Sequence, residues 1–235
     1  MTKKIFLLVT SSSLLLLSAC NDNNNDDEVM ITPPSPPIIY SYEISVTNLT
    51  QAQPMSPIAV MLHDDGGFWQ VGTSASNALE KLAEGGDSSE LLDDSIILVG
   101  KSGSGVLPAG MSETIMLDIQ DNIPAKLSLA TMLVNTNDAF TGINALTIEN
   151  LAVNESISVF TSSYDAGTEK NSELMGTIPG PAAGGEGFNS TRDDVDFVAM
   201  HAGIVSQDDG LMQSVLTQAH RFDNPSLKVT IRRVK

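Results

Sequence analysis

Three acidic residues stand where loop ends could gather hard oxygen atoms. Asp138 follows an apolar run at 127–134, inside Asn135-Thr136-Asn137-Asp138-Ala139-Phe140. Asp165 and Glu169 flank Ala166-Gly167-Thr168, shortly after a strand candidate that ends at Phe160. The glycine lets the chain bend, so the two acids of that segment can converge. Clustered carboxylates repel and raise one another's pKa, and a cation relieves that repulsion. The matching cation is Ca²⁺, which takes about six to eight oxygens from carboxylates, carbonyls and water. Acidic loops in an acidic chain are also commonly just solvated, so spacing alone leaves both readings open.

Other residues imitate catalytic motifs. His63 precedes Asp64 and Asp65, an arrangement open to a base with an orienting carboxylate or to a strand-end histidine before an acidic turn. His63, His201 and His220 form no H-x-x-x-H or H-x-H pair, which excludes a helical zinc site. Gly100-Lys101-Ser102 resembles the end of a phosphate loop, but Ser95 stands where that motif needs glycine and Ile96–Val99 reads as a strand. The stretch to Gly105 also fails the nucleophile-elbow pattern, because Ser104 occupies its last glycine position.

The chain of 235 residues carries 29 acidic and 12 basic side chains, for a net charge of −17. Such a balance provides no general means of neutralising phosphates and argues against nucleic acid as a partner. With 41% hydrophobic residues the chain can build a core, and its single cysteine excludes an internal disulfide framework.

That cysteine lies at the end of an address. Lys3 and Lys4 precede an apolar run from Ile5 to Leu17, then Ser18, Ala19 and Cys20. A charged start, a short apolar stretch and small residues make a signal peptide over 1–20. Leu17-Ser18-Ala19-Cys20 resembles the lipobox of bacterial lipoproteins, which implies lipidation of Cys20 and a membrane anchor. By the same resemblance Asn21 implies delivery to the outer membrane of a Gram-negative envelope. Residues 21–40, rich in Asn, Asp and Pro, read as a disordered tether reaching at most roughly 65 Å.

From residue 41 the pattern becomes strand-like. Tyr42, Ile44 and Val46 alternate with polar residues, as do Leu227, Val229 and Ile231 at the far end. Further strand candidates are Ile58–His63, Ser95–Val99, Glu113–Ile119, Leu127–Val134, Ser156–Phe160 and Asp196–His201. The segments 95–99 and 127–134 are apolar on both faces and are expected as central strands. Ala75, Ala78, Leu79, Leu82 and Ala83 share one helical face, with Gly85-Gly86 at the C-cap; a second helix or turn is expected at Leu211–Ala219. About eight strands with one or two short helices predict an all-β antiparallel sandwich over 41–235.

Within this frame several stretches resemble the spondin N-terminal domain, the module of F-spondin and mindin. They are Ser56-Pro57, His63, Phe68, Gly72, Ala75-Ser76, Leu82-Ala83-Glu84-Gly85, Leu127-Ser128, Met132-Leu133, Asn137 to Gly142, and Tyr164-Asp165-Ala166-Gly167-Thr168-Glu169. The resemblance implies an eight-stranded C2-like sandwich with one calcium at a loop end. It also implies Asp165 and Glu169 as ligands, with Asp138 as a third, and a role in adhesion or recognition rather than catalysis. The chain departs from the family in lacking cysteine in the domain and in having Ala139-Phe140 where the family has tryptophan. The leading expectation is therefore a lipid-anchored, calcium-binding envelope module with a protein or glycan ligand. Its rivals are an envelope hydrolase centred on His63 and a glycan- or lipid-binding module.

Overall fold

The first strand shows how the sandwich is specified. In β1 (Ile39–Asn48), Tyr42, Ile44, Val46 and Asn48 are buried while the residues between them are only half-covered. A period-two pattern of this kind builds a sheet with one face on a core and one toward water. The strand begins just ahead of the expected start at 41. The computed structural model describes residues 34–235, and residues 37–235 form one unit. The signal peptide, Cys20 and most of the expected tether lie outside the described residues.

The remaining elements are β2 (Ala59–His63), α1 (Asn77–Gly85), α2 (Ser89–Leu92), β3 (Ile97–Ser102), β4 (Ser112–Gln120), β5 (Lys126–Met132), β6 (Ala139–Thr147), β7 (Ser156–Phe160), β8 (Ser162–Asp165), β9 (Ala199–Met200) and β10 (Leu227–Arg233). Short 3₁₀ turns occupy Gln207–Asp209 and Gln218–His220. The strands form two antiparallel sheets, of order β4-β1-β10-β7 and β3-β2-β5-β6-β8-β9. The all-β antiparallel sandwich expected from the pattern is what the chain forms, with ten strands among the described residues rather than eight.

Two layers of core explain the burial. Between the sheets pack Tyr42, Ile44, Leu117, Leu127, Leu129 and Ile231, among others. On the outer face of the six-stranded sheet, Met61, Ala130 and Phe140 meet Leu79 and Leu82 of α1 and Leu91 of α2. A sheet covered on both sides needs continuous apolar strands, and β2 is buried along its whole length. The four-stranded sheet instead shows solvent a polar face, where Ser45 pairs with Thr114 at 3.0 Å and Ser158 with Thr230 at 2.8 Å.

Several expectations need correction. Of the 95–99 segment, Ser95 and Ile96 lie in a turn and Ile97–Val99 begin β3, an edge strand rather than a central one; Ile96 and Ile97 pack on the helix layer and Val99 on the inter-sheet core. Gly100-Lys101-Ser102 lies in this extended strand. Strand β6 is not among the strand candidates, and it contains Gly142 and Asn144. Gly142 is required there, because a Cβ would stand 1.9 Å from the Leu129 carbonyl oxygen of β5. The segment Leu211–Ala219 takes the turn alternative of its expectation: Ser214 Oγ accepts from the Leu216 amide at 3.1 Å, and the segment's end enters the 3₁₀ turn Gln218–His220. Helix α1 forms where its periodicity put it, with Ser76 Oγ accepting from Leu79 N and Gly86 left-handed at φ 69°.

Candidate metal centre

Two strand ends bring the predicted acids into one neighbourhood. Ala139, the first residue of β6, pairs with Asp165, the last of β8. Asp138 therefore sits against the turn that follows β8. Its Oδ2 accepts from Thr168 N (2.8 Å), Thr168 Oγ1 (3.2 Å) and Glu169 N (3.1 Å). These charge-assisted bonds fold the 166–169 turn over the carboxylate. Gly167, at φ 73°, makes the turn possible.

The opposite oxygen of Asp138 is the conspicuous atom. The residue is completely buried, and Oδ1 has no hydrogen-bond partner. A buried unpaired carboxylate oxygen is costly unless a proton or a cation satisfies it. Burial first, and then the charge of Asp165, push the Asp138 carboxyl up to about 7. Glu169, also buried, is pushed up to about 8 by burial and then by the charges of Glu84, Asp138, Glu186 and Asp193. Both groups are thus poised to exchange a proton for a cation near neutral pH.

Asp165 plays a different part. Its Oδ1 accepts from Gly167 N at 2.7 Å and its Oδ2 from Asn171 Nδ2 at 2.6 Å. It adjoins Asp138 electrostatically, but both of its oxygens brace the turn. Among the described residues, no three His, Cys, Asp or Glu side chains stand together in a metal-holding arrangement. The fit to a calcium ion is accordingly partial: Asp138 offers a free buried oxygen near Glu169, while each oxygen of Asp165 already accepts one hydrogen bond.

Sequence reasoning missed Glu84. This α1 residue is buried, its Oε1 has no partner, and its Oε2 accepts from Asn189 N at 2.8 Å. Burial, its largest influence, raises its pKa. Glu80 lies one turn earlier on the same face and is held by Arg192, with Nη2 at 2.5 Å. No local signal marked it: Glu80 and Glu84, four residues apart, fall outside the apolar stripe of Leu79, Leu82 and Ala83 and read as a solvated helix face. Through these contacts the 186–196 segment is fastened over the acidic locus, with Asp193 N and Asp196 N donating to the carbonyls of Thr168 (3.0 Å) and Gly167 (2.8 Å).

The hydrolase candidate has an imidazole–serine pair but no entrance. His63 and Ser128 are fully buried, and His63 Nε2 lies 2.9 Å from Ser128 Oγ. The other nitrogen, Nδ1, faces the Asp65 carbonyl at 2.7 Å, so it carries the proton and Nε2 accepts from the serine. Ser128 Oγ also accepts from Ala145 N at 2.8 Å, at an irregularity in the β5–β6 pairing. Phe68 closes the ring off edge-on at 5.3 Å. Trp69, the single tryptophan, is engaged in packing: it meets Phe140 edge-on at 5.3 Å and Tyr164 at 5.6 Å. No protein-family model matches the chain, and no curated protein matches it.

Proposed function

We propose that the protein is a lipid-anchored module of the bacterial envelope that binds Ca²⁺ at Asp138 and Glu169 and uses its sandwich for adhesion or recognition, without catalysis. One observation carries the metal reading: the buried, partnerless Asp138 Oδ1 beside a Glu169 whose proton is held up to about 8. Asp165 and Glu84 are the next carboxylates at hand, each Asp165 oxygen keeping a lone pair beyond its bond to Gly167 or Asn171. When bound, the cation supplies the positive charge that this group of acids lacks. The spondin resemblance supports the same reading.

Melting curves test it. In about 2 mM Ca²⁺, against EDTA, the melting temperature is expected to rise by roughly 5–10 °C, as binding about a hundredfold above Kd would give. Asp138→Asn and Glu169→Gln each keep the side-chain shape and are expected to abolish the gain. Superimposable wild-type curves with and without calcium would end the calcium reading.

The anchor rests on Leu17-Ser18-Ala19-Cys20, and outer-membrane delivery on Asn21. Growth with radiolabelled palmitate is expected to label the wild-type protein, while Cys20→Ser loses all label. Equal labelling of the variant would refute lipidation at Cys20. The partner is a protein or glycan, reached while the module is held to the membrane through Cys20; the net charge of −17 disfavours nucleic acid. The hydrolase reading gains no support from the enclosed His63–Ser128 pair.

A further inference from the structure

The four-stranded sheet ends at β7, and that edge is open. Sheet edges invite pairing with another chain, and the other edges of this fold are guarded. At β4, Lys101 Nζ donates to the Met116 carbonyl at 3.0 Å, and Glu113 Oε1 accepts from Ser104 N at 2.6 Å. Strand β3 carries Gly100 and Lys101, and β9 is two residues long, preceded by Val198, whose backbone already bonds to Gly72 and Thr73. Strand β7 reads Ser-Ile-Ser-Val-Phe, with no charge, glycine or proline. Its ladder with β10 fixes which groups face outward. Arg233 N donates to Glu155 O and Thr161 N to Leu227 O, each at 3.1 Å, in the register that pairs Ile157 with Ile231 and Val159 with Val229. Ile157 and Val159 therefore exchange bonds with β10, while Ser156, Ser158 and Phe160 turn their N–H and C=O groups away from it. Among the described residues none of those outward backbone groups has a partner.

We propose that β7 is the pairing surface for a second copy of this chain, joined antiparallel about a two-fold axis through Ser158. In that register Ser158 faces the partner's Ser158, and Ser156 faces the partner's Phe160. All of these are outward-facing residues, so every free N–H of one edge meets a free C=O of the other. The side chains match as well. Phe160, 63% exposed, stands opposite a serine, and only small residues meet at the axis. On the core side Ile157 lies opposite the partner's Val159, beside a groove of about 250 Å³ walled by Ile148 and Leu151. The strand brings no charge to the seam of a chain whose net charge is −17, and the nearest cations, Lys228 and Arg232, stand one strand back. An edge of this length buries less than the roughly 1,200–2,000 Å² of a standard interface, so the dimer is weak, with a Kd on the order of 0.1 mM. Such an affinity serves copies crowded on one surface, as the proposed anchor would hold them. The pairing itself requires neither the anchor nor calcium.

Sedimentation equilibrium tests it on residues 34–235, which hold the whole sandwich and no cysteine. Between about 5 µM and about 0.5 mM the protein is expected to pass from monomer to dimer and no further, because an isologous contact closes at two copies. Salt screens the repulsion between two acidic copies, so raising NaCl from about 0.1 to about 0.5 M is expected to tighten the dimer. Ser158→Lys sets two ammonium groups face to face at the axis and is expected to weaken association at least about tenfold, with the melting temperature unchanged. A thiol readout fixes the register. Ser158→Cys is expected to form a disulfide-linked dimer on mild oxidation, since the paired Cα atoms lie about 5.5 Å apart. Lys228→Cys, exposed one strand back from the seam, is expected not to. Monomer at every concentration, assemblies larger than a dimer, undiminished association of Ser158→Lys, or equal crosslinking of the two cysteine variants each overturns the proposal.

Discussion

In a chelating buffer the protein is expected to lose stability as pH rises from 5 to 8.5, by about 3 kcal/mol or roughly 6–12 °C in melting temperature. The sign follows from the two raised carboxyls. Asp138 keeps its proton in the folded state up to about 7 and Glu169 up to about 8, against ordinary values of 3.8 and 4.5. Between the ordinary and the raised values the folded state holds protons that the unfolded chain has released. Stability therefore falls with rising pH through that window, and the loss is complete only above about 8. Burial raises Glu84 and Glu173 as well, which adds to the same slope.

His201 opposes this trend over part of the range. Burial holds its pKa below the ordinary 6.5, so it adds stability above that value that is lost as pH falls. Between pH 6.5 and 8.5 the folded-state imidazole is largely neutral and the unfolded one at most half protonated, so His201 offsets no more than about 0.4 kcal/mol and the carboxyl effect, about 2 kcal/mol, dominates. Asp138→Asn is expected to flatten part of the slope, and saturating Ca²⁺ to remove most of it. A melting temperature that is constant or rises from pH 6.5 to 8.5 would show that these acids are not protonated as described.

Gly167→Ala is expected to be the most damaging small substitution at the site, costing at least about 3 kcal/mol. The left-handed φ of 73° already disfavours any residue with a Cβ, by about 1–2 kcal/mol. The added Cβ would also stand 2.2 Å from the Phe197 carbonyl oxygen and 2.9 Å from its nitrogen. Those are backbone atoms of a segment tied back by Asp196 N to the Gly167 carbonyl, so they cannot yield separately. Moving the turn would pull Thr168 N and Glu169 N from Asp138, and the calcium-dependent gain in melting temperature should vanish with them. Gly210→Ala provides the contrast. Its φ of 98° is equally left-handed, but nothing lies within 4 Å, so only the backbone cost of about 1–2 kcal/mol remains. Chemical denaturation of both variants separates the terms, and equal losses would mean that the contact with Phe197 contributes nothing.

Legibility in the sequence followed solvent. Strands β1, β4 and β10 have one polar face, so Tyr42-Ile44-Val46 and Leu227-Val229-Ile231 alternate visibly. Helix α1 announced itself through its apolar stripe and the Gly85-Gly86 pair. Strand β6 did not, because a strand buried on both faces loses alternation and its Gly142 answers a neighbour 13 positions away rather than a local turn. The order of strands within a sheet is equally nonlocal: the apolar 95–99 segment has the composition of a central strand and lies at an edge.

The candidate site divides along the same line. By itself the sequence determined the antiparallel all-β sandwich, the acidic character of the loops, and the glycine bend between Asp165 and Glu169. Each is set by a few neighbouring residues whose polarity and backbone freedom act locally. Only the tertiary structure decided that Asp138 is buried with an unpaired oxygen and that Asp165 spends its oxygens on Gly167 and Asn171. It also decided that Glu84 and Asn137 stand unpaired at the same locus. Burial and hydrogen-bond satisfaction are properties of what surrounds an atom in space, and here the surroundings come from segments as distant as α1 and the 186–196 stretch. Spacing reveals which acids can meet; packing determines which of them still need a partner.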